Sequence, residues 1–147
     1  MKRCISSKDE KYYTNMLKVM NAIKEIVNDY NWLISDIETN KEFNLTNGYS
    51  ILNGNELMKY LNENVDLQYI WGCFSAIPKH YLEEDILKYE IPYVKGNNNI
   101  CRDKSIIQHP LAEIEIDAID SSFIQIIAKT DEVIELFRKS FPFAEIE

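Results

Sequence analysis

Four carboxylates in ten residues, Glu113, Glu115, Asp117 and Asp120 of LAEIEIDAID (111–120), alternate with apolar residues along one short segment of this sequence. In an extended strand Glu113, Glu115 and Asp117 project from one face at steps of about 6.8 Å, because alternate residues share a face. That spacing lets one carboxyl protonate a leaving group while the other attacks or activates water, as in glycoside hydrolysis. Such a pair needs one carboxyl in an apolar pocket that raises its pKa. A strand pattern alone does not supply the pocket.

The other ingredients of catalysis are sparse. His80 and His109, the two histidines, are 29 residues apart and form no HxxxH pair, and Cys101, in the same loop as His109, has no CxxC partner. No metal site and no cofactor are expected. Gly72, Cys73 and Ser75 of GCFSAIP do not match GxSxG, so Cys73 reads as a small core residue of a hydrophobic strand. The four glycines, at 48, 54, 72 and 96, can write neither GxGxxG nor GxxxxGK, which excludes nucleotide binding by those loops. No catalytic residue is assigned.

The acidic strand can also be read as a surface. An antiparallel strand with one face on a core and one in water alternates for that reason alone. Water asks only for polarity, however, and three like charges along one face repel one another. The strand expected beside it, SSFIQIIAK (121–129), offers a single base, Lys129, at its end. The outer face is more acidic than solvation requires, so Glu113, Glu115, Asp117 and Asp120 are the expected contacts for a protein partner. Glu83, Glu84 and Asp85 form a second acidic patch. Nine Tyr and two Trp supply rings of the kind that dominate protein interfaces.

Composition narrows the partner. The chain of 147 residues has the length of one domain, and its 46% apolar and 27% charged residues are those of a globular fold. Its net charge is −8, and from Leu111 onward nine acids face three bases. That balance repels phosphate backbones and anionic membrane surfaces, so neither nucleic acid nor membrane is an expected partner. The three cysteines are odd in number and not closely spaced, which fits reduced thiols in a cytoplasm. MKRC runs directly into polar residues, so no signal peptide is expected. The longest apolar run, YIWGCFSAIP, is about half of a bilayer span.

The elements that must position these residues read as a single α+β domain over 1–147, a mainly antiparallel sheet with N-terminal and C-terminal helices packed on it. Ser7 and Glu10 have the spacing of a capping box. Met16, Val19, Met20, Ile23, Ile26 and Tyr30 then form an apolar stripe for a helix to about Asn28. NWLISDIE (31–38) has strand period. Asn47-Gly48 between FNL and YSIL signals a hairpin, and Asn55 is placed to cap a short helix through Leu57, Met58 and Leu61. LQYIWGCFSAIP (67–78) is a strand buried on both faces in the middle of a sheet. HYLEEDILKY has helical spacing, and Gly96 with three Asn marks a loop. Residues 111–118 and 122–128 pair through Asp120-Ser121. TDEVIELFRKSF closes the chain as a helix capped by Thr130, with Val133, Ile134, Phe137 and Phe141 inside.

This plan, with YIWGCFSAIPK and HPLAEIEIDAIDSSFIQI ahead of a last helix, resembles the small acidic bacterial immunity proteins encoded beside polymorphic or contact-dependent toxins. The resemblance implies a cytoplasmic, non-catalytic protein that neutralises a cognate toxin by stoichiometric binding. A basic partner, such as a nuclease domain, would be steered to the acidic surface. A carboxylate-based hydrolase and a structural domain, dimerising through a strand edge, are the alternatives.

Overall fold

The computed structural model describes residues 2–6, by their backbone, and residues 14–41, 48–100 and 106–146. The strands are β1 (Lys2–Ser6), β2 (Tyr30–Thr39), β3 (Tyr49–Asn53), β4 (Tyr69–Pro78), β5 (Ile114–Ile119), β6 (Phe123–Ala128) and β7 (Glu145–Ile146). The helices are α1 (Met16–Ala22), α2 (Lys24–Val27), α3 (Gly54–Glu63), α4 (Glu83–Ile86) and α5 (Asp131–Ser140). All seven strands join one antiparallel sheet in the order β3-β2-β4-β5-β6-β1-β7. The architecture is α+β, as its sequence patterns require.

Local chemistry explains most boundaries. The apolar stripe after Asn15 folds as α1, whose first turn is capped by Asn15 Oδ1 accepting from Lys18 N at 3.2 Å. Ile23 breaks the stripe into α1 and α2, where one continuous helix was expected. The Ser7–Glu10 box lies outside the described residues. The cap of α3 is Asn53 and not Asn55: Asn53 Oδ1 accepts from Glu56 N, and the Glu56 carboxylate accepts from Asn53 N. Gly54 has no freedom to change, since a Cβ there would lie 2.5 Å from Val27 O, at the corner where α2 turns into β2.

In the 40s, the FNL arm of the expected hairpin lies outside the described residues. Gly48 has φ +78°, and β3 after it pairs with β2 from Asn31 to Ser35. The β5–β6 turn lies where the sequence places it: Ile119 pairs with Phe123, and of the three residues between them Asp120 (φ 49°) and Ser121 (φ 57°) are both left-handed. The helical spacing of HYLEEDILKY yields only the single turn α4. Strands β1 and β7 carry no marked sequence signal and add to the far side of β6.

Helices α1, α3 and α5 cover one face of the sheet. Trp32, Phe74, Ile114, Ile116, Ile126 and Phe137 meet there in an apolar core. The opposite face is covered by residues 79–100 and 106–112, which are largely irregular. Ile86, Val94, Ile107 and Ala112 from this cover pack on Leu33, Ile77, Cys73 and Ile127. As expected, β4 lies at the sheet centre with most of both its faces buried.

Candidate functional site

Alternation along β5 sends Ile114, Ile116 and Ala118 into the helix-side core and Glu115 and Asp117 to the other face. The sequence pattern located the faces correctly but not what lies over the second one. Glu115 and Asp117 are both 0% exposed, because the irregular cover closes over them. This corrects the expectation of a solvent-facing acidic strand, and these two residues form no surface for a partner.

Side chains directly across a sheet share a face, and register assembles the site in two rows. Ser35, Cys73, Asp117 and Gln125 occupy successive strands β2, β4, β5 and β6. Leu33, Ser75, Glu115 and Ile127 form the adjoining row. One donor atom from each of Cys73, Glu115 and Asp117 lies within 4.8 Å of the other two. Cys73 Sγ is also 3.7 Å from Ser75 Oγ.

Hydrogen bonds from the cover and from β6 hold both carboxyls. Gln108 gives its backbone N–H to Glu115 Oε1 at 2.9 Å and its side-chain amide to Oε2 at 3.4 Å. Gln125 Nε2 donates to Asp117 Oδ2 at 2.9 Å, while Asp117 Oδ1 is buried with no hydrogen-bond partner. Burial first, and then the neighbouring Glu115 charge, push the Asp117 carboxyl well above the usual carboxylate range. The Cys73 thiol is raised in the same way, by burial and then by Glu115 and Asp117, so it is a protonated core thiol in this setting. Among the described residues the ion pairs are at the surface, Lys59–Glu63, Lys88–Asp85 and Lys95–Glu38, and none reaches Glu115 or Asp117.

The cover is fixed over this cluster by further polar contacts. Register slips in β2 between Ser35 and Glu38, and at this bulge Asp36 takes φ 52°. Asp36 Oδ2 there accepts from Val94 N and Lys95 N, both at 2.8 Å. Ser35 Oγ donates to Pro92 O at 2.8 Å. His109, fully enclosed, accepts from Leu111 N at Nδ1, so its Nε2–H donates to Ile86 O at 2.9 Å and ties α4 to the start of the β5 segment.

The remaining acids divide by role. Glu113 is half-buried and accepts from the Tyr30 hydroxyl at 2.8 Å; burial and this bond raise the Tyr30 pKa. Asp120 is exposed in the β5–β6 turn. Asp85 caps α4 by accepting from Leu82 N and meets Lys88, and these two contacts hold its carboxyl below the usual range. Glu83 and Glu84 are exposed beside it. The same stretch presents Leu82 at 61%, Leu87 at 39%, Tyr89 at 41% and Tyr93 at 49% exposure. A shallow depression lined by Tyr81, Asp85, Lys88, Tyr89 and Leu111 opens beside α4.

Sequence reasoning missed Ser35, Asp36, Ser75, Gln108 and Gln125, none of which belongs to a motif. The one available signal for Gln125 was its place opposite Asp117 in the hairpin register that Asp120-Ser121 sets. For a hydrolase, Glu115 and Asp117 stand close enough together, but both are fully buried, and neither lines the depression beside α4 or the one along α5. No helix among the described residues is long and apolar enough to cross a membrane. Against this geometry, comparison with protein-family models, curated proteins and solved structures finds no match.

Proposed function

We propose that this chain is a non-catalytic immunity protein that neutralises a basic toxin domain by stoichiometric binding, and that it docks through its irregular cover. The observation behind this reading is the composition of the stretch 82–93. Leu82, Leu87, Tyr89 and Tyr93 stand exposed there among Glu83, Glu84 and Glu90. Exposed apolar and aromatic side chains grouped in one segment are what an interface centre requires. The acids around them supply the field that speeds encounter with a basic partner.

Of the seven acids expected at the interface, Glu83, Glu84 and Asp120 keep free access to solvent. Asp85 and Glu113 are engaged in the contacts described above and take supporting places.

The test looks for a large reading frame directly upstream of this gene and uses its C-terminal domain; absence of such a reading frame counts against the function. Co-purification at one-to-one stoichiometry and loss of that domain's toxicity are the expected results. Glu83→Lys with Glu84→Lys lowers the association rate constant about tenfold at low salt and much less at high salt. Kinetics unchanged by the double reversal remove the 82–93 stretch from the interface, and absence of any complex removes the function. Elution of the free chain at twice its monomer mass would favour the structural homodimer.

A further inference from the structure

We propose that Cys73, Glu115 and Asp117 bind a divalent metal ion of the zinc class between the sheet and its cover. The geometry has three parts. The donor atoms of these residues already lie within 4.8 Å of one another, on adjacent strands whose register fixes them. All three side chains are completely buried. Asp117 Oδ1 has no hydrogen-bond partner, although a buried oxygen without one is costly.

A proton on Asp117 answers part of this, since it removes one charge. It leaves Oδ1 without a hydrogen bond of good geometry, and it leaves the Glu115 carboxylate buried beside the Cys73 thiol. A divalent ion answers all of it at once, by offsetting the charge of the carboxylates and filling the free position of Asp117. Zinc accepts thiolate sulfur at about 2.3 Å and carboxylate oxygen at about 2.0–2.2 Å, so tetrahedral donors stand roughly 3.3–3.6 Å apart. Donors that lie within 4.8 Å of one another must draw inward to reach that geometry.

A mixed sulfur and oxygen set suits zinc better than magnesium or calcium, which take oxygen alone. Binding displaces the thiol proton of Cys73 to solvent, together with any proton held by the carboxyls. Gln108 on Glu115 and Gln125 on Asp117 are the outer partners that orient such ligands. A fourth position is left for water. Through Gln108 the ion would also tie the cover to β5.

The experiment starts from the full chain stripped with chelator. Calorimetric titration with Zn²⁺ is expected to show one equivalent bound, with a rise in melting temperature. Co²⁺ in its place is expected to give thiolate-to-cobalt charge-transfer absorption in the near ultraviolet. The Cys4→Ser/Cys101→Ser variant keeps both the band and the stoichiometry, since the proposed site uses Cys73 as its only thiol. Asp117→Asn and Cys73→Ser each weaken Zn²⁺ binding about 100-fold or more while circular dichroism shows a folded chain. Because a buried substitution can itself unfold the protein, the wild-type cobalt spectrum is decisive alone. Absence of the sulfur band, or its disappearance in the Cys4→Ser/Cys101→Ser variant, overturns the proposal. Toxin binding plays no part in this readout, so either reading can fail without the other.

Discussion

The two faces of the sheet are held by different physics. On the helix side, Trp32, Phe74, Ile116 and Phe137 interlock with α1, α3 and α5, and the stabilisation comes from apolar area and close packing. On the other side an irregular segment lies over Ser35, Cys73, Ser75, Glu115, Asp117 and Gln125, and hydrogen bonds from Ser35, Asp36, Gln108 and His109 decide where it lies. Dry packing stabilises through many small contacts that fail together. A polar face stabilises less per residue, but it specifies one arrangement of its cover, since any other leaves buried groups unpaired.

The contrast predicts a graded series of effects. Phe137→Ala, on the dry face, should cost about 3–5 kcal/mol of unfolding free energy in urea titrations, from lost burial and the cavity left against Phe141. A loss below about 1 kcal/mol would show that the helix side is not the stability core. Asp36→Ala should cost about 2–3 kcal/mol, because two backbone N–H groups lose a charged acceptor and alanine is strained at φ 52°. Its signature is faster amide hydrogen exchange at Val94 and Lys95, with α1 and α5 unaffected. If α5 accelerates equally, the cover and the helix side unfold as one unit and the distinction fails.

Ser35→Ala should cost about 1 kcal/mol for its single bond to Pro92. The last prediction is set apart by its sign. Asp117 has a raised carboxyl pKa when folded, so the folded chain binds the extra proton. In chelator, the stability it contributes is complete below the ordinary carboxylate value of 3.8 and is lost as pH rises through the folded value. Asp117→Asn should flatten that decline and leave the metal-free protein no less stable than wild type at neutral pH. Parallel pH–stability curves for the two chains would show that Asp117 does not titrate with folding.

Much of this was legible from residues alone. Period-two alternation found β5 and β6, positive-φ residues found their turn, and helical spacing found α5 and its inner face. What misled was the inference from Glu115 and Asp117 to water. Alternation reports that a strand has two chemically different faces, and it is silent about a cover built from residues without period. One signal was present: YIWGCFSAIP reads as buried on both faces, and β5 is its neighbour, so the face that buries Cys73 and Ser75 also buries Asp117 and Glu115. The lack of Lys among the β5 acids points the same way, since lysine is rarely placed where it cannot reach solvent. Ser35, Gln108 and Gln125 were not legible, because an amide or hydroxyl acquires its role only when the fold brings an acceptor to it.

The position of β1 bears on how the chain is made. Lys2 pairs with Ala128, and Cys4 with Ile146, so the earliest of these seven strands in the chain sits between two of the last. Until β6 exists, β1 has no hydrogen-bonded neighbour in the sheet, and closing so long a loop slows folding. The β2–β3–β4 side can assemble from nearby segments during synthesis. The side carrying β1 waits for residues 123–146, so a product that ends before Phe123 has an open β5 edge and an unpaired β1.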